Sequence, residues 1–258
     1  MEFTVLRRAN QSTERGDQPP ELEPGVFMRP SDSAVRLTRC DGAWTRSTGP
    51  YPPRELVAGF TLVEAASRAD VIEQVRWWPL FDAGAVYEIR EAMAASAAGA
   101  ARNPDWGRYL VFVRADAEAE TGLLPALDML DRMAAYERAG VRAGMLLARA
   151  SLAPTRTATR VCFANADTSL VAGPFADVRE LVAGYWLVQA ASLDHAIAWA
   201  GAYPYWQAGE VTVEIREVCE RREQREFTAE MRAAEERLRA EALEGLLREA
   251  MARRQRAL

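Results

Sequence analysis

The side chains in this sequence whose type and spacing could do chemistry are aromatic rings and guanidinium groups. Tyr203, Tyr205 and Trp206 crowd together just before a predicted last strand, with Trp186 and Trp199 close by in the chain, and Trp77, Trp78 and Phe81 crowd together in an earlier stretch. Rings bury large apolar areas and guanidinium groups offer a fork of donors. Arg160, Arg179, Trp199, Tyr203, Tyr205 and Trp206 are therefore the candidate ligand-binding set, a pocket for a flat anionic molecule between sheet and helices. The plainer reading of the same rings, and the favoured one, is ordinary core and the interface between two units. Asp177 and Arg179 flank a turn and are expected to pair with each other.

Groups able to catalyse are scarce. General acid–base chemistry needs a group titrating near neutrality. The only histidine, His195, falls on a predicted helix and is expected at the surface. A Ser-His-Asp triad would have to use it, and no serine stands in a nucleophile elbow. Cys40, Cys162 and Cys219 are odd in number and lack C-x-x-C spacing, and the carboxylates lack calcium-loop spacing. No catalytic residue, metal site or cofactor is assigned.

The elements that must position these residues come in two sets. The hexamer R-E-L-V-A-G occurs at Arg54–Gly59 and again at Arg179–Gly184, each time after a Gly-Pro-aromatic turn, Gly49-Pro50-Tyr51 and Gly173-Pro174-Phe175. The spacing holds outward to Ala65-Ala66-Ser67 against Ala190-Ala191-Ser192. It slips by one residue at Glu88-Ile89-Arg90-Glu91 against Glu214-Ile215-Arg216-Glu217, and by one the other way at Arg36 against Arg160. Repetition on this scale decides architecture before local pattern does, and it reads as a tandem duplication with small insertions.

Local pattern supplies the elements. Met1–Ala9 reads as a strand, 11–30 as a proline-rich loop, Val35–Cys40 and Trp44–Ser47 as a hairpin through Asp41-Gly42, and Leu56–Ala65 as a strand. A helix capped by Ser67 follows, then a strand Val86–Glu91. Ala92–Gly107 is Ala/Gly-rich and reads as a linker. The second set runs Tyr109–Ala115 strand, Pro125–Ala139 helix stopped by Gly140, strands Val141–Ala150, Thr157–Ala164 and Leu181–Ala190, a helix capped by Ser192, and Val211–Val218 strand. This order, β-α-β-β-β-α-β, predicts an α+β fold of two ferredoxin-like units, residues 1–91 and 108–218 about the linker 92–107, with the first helix lost from the earlier unit. Residues 219–258 are nearly all Glu, Arg, Ala and Leu, with an apolar stripe from Phe227 to Met251 that predicts a long amphipathic helix. That helix would pack on the domains, on its twin, or on a protein partner.

Composition narrows the function. The net charge of −5 provides no strongly basic field for nucleic acid, and no apolar run reaches membrane-spanning length. All 32 basic residues are Arg. A cytoplasmic protein is expected.

A-G-P-F, followed by A-D-V-R-E-L-V-A-G-Y-W-L-V-Q-A-A-S and closing in E-V-T-V-E-I-R-E-V, resembles the YCII-related proteins, often called the D-G-P-F domain family. The resemblance covers Tyr109 to Val218 and reaches into the tail; the earlier unit matches from Val35 to Glu91, with T-G-P-Y. It implies the ferredoxin-like fold of the dimeric α+β barrels, here an intrachain pseudo-dimer. Enzymatic branches of that superfamily move protons on small cyclic or aromatic acids, and many relatives are encoded beside sigma factors, which implies a regulatory role. In relatives suspected of catalysis, a His on the first helix and an Asp in D-P-Y form the proposed pair. Here those places read Met129 and Tyr203-Pro204-Tyr205 in the later unit, with Trp78-Pro79-Leu80 in the earlier one. The expectation is a non-catalytic protein that binds a small ligand or a protein partner; the alternative is an isomerase or lyase acting by proton transfer on a cyclic or aromatic acid.

Overall fold

The structure, a computed structural model, describes residues 1–16, 24–78, 84–97 (backbone only from 94), 100–164, 167–206 and 209–219. The predicted C-terminal helix lies outside the described residues, as does Phe81. Along the chain come β1 (Glu2–Arg8), α1 (Gln11–Glu14), β2 (Val26–Phe27), β3 (Val35–Cys40), β4 (Ala43–Thr48), β5 (Val57–Glu64), α2 (Arg68–Arg76) and β6 (Val86–Ala97). Then follow β7 (Gly107–Arg114), α3 (Leu127–Arg142), β8 (Leu146–Leu152), β9 (Thr159–Ala164), β10 (Asp167–Ala172), β11 (Val182–Ala190), α4 (Leu193–Gly201) and β12 (Val211–Glu217). The fold is mixed α+β, with its antiparallel sheet curled on itself. None of the described helices is long and apolar enough to cross a membrane.

Local signals act where they were read. Asp41 (φ 51°) and Gly42 (φ 81°) turn β3 into β4. The Ser67 and Ser192 side chains accept from the Asp70 and His195 amides and cap α2 and α4. Pairing then departs from chain order. Hairpin β3–β4 adds to β12 (Leu37 opposite Val213, Arg36 opposite Glu214), and hairpin β9–β10 adds to β6 (Val161 opposite Tyr87, Arg160 opposite Glu88). Each hairpin thus leaves its neighbours in sequence and completes the other half's sheet. Nothing in a hairpin's own sequence specifies the edge on which it docks.

Several boundaries differ from expectation. Ala92–Ala97, read as the start of a linker, continues β6 and pairs with β8; a waiting sheet edge overrides the helical preference of alanine. Gly140 does not stop α3. It sits buried inside the helix, where a Cβ would come 3.2 Å from the Trp199 indole nitrogen, and the chain turns at Gly144 (φ 74°) instead. Strand β8 accordingly starts at Leu146, not Val141. Strand β10, exposed at every position, was not expected because it has no apolar alternation to read. Within residues 11–30, read as a loop, the structure has the single helical turn α1, capped by a reciprocal pair of bonds between Asn10 and Thr13, and the short strand β2.

The core has separate layers. One cluster, around Val111, Trp186, Val188, Val213 and Ile215, lies beneath α3 and α4; a second, around Val5, Val71, Tyr87 and Ile89, lies beneath α2. A third, with Leu6, Phe60, Leu110, Phe112 and Tyr185, joins the two halves inside the curl.

Charge is buried at the junction of the halves. The Glu88 carboxylate accepts from Arg90 Nη1 (3.0 Å) and Arg160 Nε (2.9 Å), while Arg160 Nη1 reaches Glu180 (3.0 Å). Glu214 accepts from Arg36 Nε (2.9 Å), while Arg36 Nη1 reaches Glu55 (2.8 Å). Arg8 Nη1 donates to the Glu180 carbonyl and Arg114 Nη1 to that of Glu55. Tyr51 and Phe175 stack on Arg36 and Arg160, each 3.9 Å from guanidinium carbon to ring centre. Burial opposes ionisation of Glu88, but Arg8, Arg90 and Arg160 outweigh it and hold the carboxyl below its ordinary range.

Candidate functional site

Helix α3 presents Met133, Tyr136, Glu137 and Gly140 on one face, a spacing of three, four and seven residues. That face rests on the sheet, so Glu137 is a buried carboxylate. Its charge is met from three other elements. Trp186 Nε1 (β11) donates to Oε1 at 3.2 Å, the Tyr203 hydroxyl (after α4) donates to the same oxygen at 3.0 Å, and Arg149 Nε (β8) stands 3.0 Å from Oε2.

The Tyr203-Pro204-Tyr205 turn follows α4 because proline has no amide to continue the helix. The Tyr205 amide donates to the Tyr203 carbonyl at 2.9 Å, closing a three-residue turn about Pro204 that brings the two rings together. Tyr203 lies 4.3 Å from Trp186 and 5.1 Å from Tyr205, centre to centre, and Trp199 packs behind at 5.9 Å from Trp186. The Tyr205 hydroxyl donates to the Ala200 carbonyl. Burial raises both phenols well above the ordinary tyrosine value, and the Glu137 charge raises Tyr203 further. Both remain protonated donors at any physiological pH.

Beneath α3 these groups wall a pocket of about 90 Å³, lined by Met133, Glu137, Arg149, Ser151, Gly184, Trp186, Tyr203, Tyr205 and Trp206 among others. The structure therefore brings together Tyr203, Tyr205 and Trp206 from the candidate set, with Trp199 one layer back. The two candidate arginines are elsewhere. Arg160 is spent on Glu88 and Glu180, and Arg179 is exposed and paired with Asp177 at 2.9 Å. The guanidinium at the pocket is Arg149, 30% exposed, and it donates no hydrogen bond to any described residue beyond its ion pair with Glu137. Sequence reasoning missed both Glu137 and Arg149. Of the earlier ring cluster, Trp77 is exposed and Trp78 packs edge-on against Tyr87. His195 is exposed and touches Trp106. Among the described residues no group of His, Cys, Asp and Glu is arranged to hold a metal.

An uncharacterized protein of Rhizobium meliloti (strain 1021) is 37% identical over 68 residues, which are 26% of this chain and 55% of that relative, so the chain spans about half the length of the protein it matches. The family comparison is broader. Residues 108–222, which contain every residue lining the pocket, match the YCII-related domain.

Proposed function

We propose that this chain is a tandem pair of YCII-like modules, ferredoxin-like in plan, that exchange hairpins to make an intrachain pseudo-dimeric α+β barrel. In this reading the later module binds a small flat anionic ligand without converting it. The matched hexamers, the matched Arg36/Arg160 and Glu214/Glu88 pairs and the reciprocal hairpins support the duplication. The three free cysteines fit a reducing cytoplasm.

The observation that carries the binding reading is how hydrogen-bonding capacity is distributed. Glu137 Oε1 already accepts two donors and Oε2 faces Arg149, while the phenols of Tyr203 and Tyr205 are committed. What remains at the pocket is donor capacity on Arg149, which suits an acid, beside aromatic walls that suit a ring. A buried carboxylate facing a pocket also favours the second reading, an isomerase or lyase with Glu137 as base. Its lone pairs, however, are largely taken.

Thermal shift and tryptophan fluorescence with benzoate, salicylate and 4-hydroxybenzoate decide between them. At least one acid is expected to raise the melting temperature, by an amount equivalent to about 2.7 kcal/mol at a hundredfold excess over Kd, and to lose this effect in Arg149→Gln. The acid should emerge from D2O unchanged. Absence of any shift sinks the binding reading, and Glu137-dependent deuterium uptake by a bound acid would replace it with the enzymatic one.

A further inference from the structure

The pocket has a counterpart in the other half that is already filled, and the filling is a phenyl ring. Each hexamer ends in a glycine on a strand, Gly59 on β5 and Gly184 on β11. In register, the residue opposite Gly59 is Phe27 on β2, and the residue opposite Gly184 is Ser151 on β8. A Cβ built on Gly59 would run into the Phe27 ring, at 2.7 Å from Cδ1 and 2.9 Å from Cε1. The phenyl group thus lies directly over the bare backbone of the glycine, the arrangement by which an aromatic side chain covers a glycine in a sheet.

At Gly184 no side chain is among the three atoms nearest a built Cβ, which are all backbone: the Ala150 carbonyl oxygen at 2.7 Å, the Ser151 Cα at 3.4 Å and the Ala150 carbonyl carbon at 3.6 Å. Gly184 and Ser151 both line the pocket. Arg149 lies two residues before Ser151 on β8, so both side chains share one face of the strand. The Ser151 hydroxyl, like the terminal amines of Arg149, donates no hydrogen bond to any described residue.

We infer that the space over Gly184 is a receptor for a single six-membered ring in the position Phe27 occupies over Gly59, and that Ser151 is the residue that keeps it open. This deepens the binding reading and rests on it. The ring lies over Gly184 beneath Met133, and its acidic substituent meets the Arg149 guanidinium and the Ser151 hydroxyl, which stand side by side. At about 90 Å³ the pocket is smaller than the ~150 Å³ apolar cavity that encloses benzene. That size limits what the pocket can hold to a single ring.

The test is to supply the ring from within. Ser151→Phe is expected to fold, to melt at or above the wild-type temperature, and to bind benzoate at least about tenfold more weakly, a larger loss than in Ser151→Ala, which removes the hydroxyl and leaves the space open. A Ser151→Phe protein that still binds benzoate as wild type does overturns the inference and leaves the binding reading standing. A wild type that binds none of benzoate, salicylate and 4-hydroxybenzoate removes the binding reading and the inference with it. Should Ser151→Phe fail to fold through crowding, the reciprocal variant decides. Phe27→Ala opens the same space over Gly59, and added phenol is expected to restore part of the lost melting temperature; no restoration overturns the inference.

Discussion

Replacing Glu88 with Gln lowers stability at pH 7 by about 3–5 kcal/mol, the usual cost of leaving a buried ion pair without one partner. Glu88 is fully buried, and Arg90, one of its donors, is 1% exposed. The neutral amide cannot balance Arg8, Arg90 and Arg160, and it turns an N–H toward at least one of them. Because the pair Glu88–Arg160 also bridges β6 and β9, the loss loosens an exchanged hairpin at its docking edge. The pH dependence carries a sign. The Glu88 carboxyl is held below its ordinary value in the folded chain, so its contribution is fully present above the unfolded carboxylate pKa of 4.5 and drains away as pH falls through the folded value. The gap between wild type and Glu88→Gln should therefore be widest at neutral pH and shrink on acidification below about pH 4.5. Urea unfolding across pH 2–8 checks this, with Arg179→Ala as a control that should leave stability unchanged, since its pair is exposed. A loss under about 1 kcal/mol, or a gap that does not change with pH, would show that the network contributes little.

What could be read in advance and what could not divide along a physical line. Signals that act within a few residues were legible: Asp41-Gly42 as a turn, Ser67 and Ser192 as caps. The hairpins were legible as hairpins, but their destinations were not, because β3–β4 and β9–β10 take their places from edges far along the chain. Ala92–Ala97 carried a helical composition that a neighbouring strand overrode, and Gly140 looked like a stop only because its contact with Trp199 is invisible in one dimension. The pocket shows the same division. Its rings, Tyr203, Tyr205 and Trp206, announce themselves by clustering. Its ionic centre, Glu137 with Arg149, comes from two elements that look ordinary separately. The one local trace was Glu137 sharing the helical face of Met133, Tyr136 and Gly140, a charge on an apolar stripe. Arg160 and Arg179 drew attention as the charges for a ring-lined pocket, and both are committed to carboxylates elsewhere.

Gly173→Ala should be nearly as damaging, at about 3 kcal/mol or more, because the added methyl meets backbone that has nowhere to go. A Cβ on Gly173 would be driven into the Thr155 carbonyl oxygen. That carbonyl is fixed from several sides. It accepts the Ala158 amide at 2.9 Å, Glu120 holds the Thr155 amide at 2.8 Å and its hydroxyl at 2.5 Å, and Gly173 itself donates to the Ala158 carbonyl at 3.1 Å. Moving Thr155 pulls on Ala153, whose carbonyl accepts from Arg90, the donor to Glu88. Gly49 stands in the same relation to the Ser31 carbonyl, whose loop is braced by Glu14 and by Arg216 through Arg29. Gly49→Ala is therefore expected to match Gly173→Ala, whereas Gly209→Ala, with nothing within 4 Å among the described residues, should be silent. Urea midpoints of the three variants test the set, and a Gly173→Ala protein within about 1 kcal/mol of wild type would mean the loop yields easily. The two damaging substitutions should each also weaken an ion network at the junction of the halves. Contacts that share partners do not add, so the double variant should fall short of the sum of the singles if the two networks act as one, and reach that sum if each half holds its own.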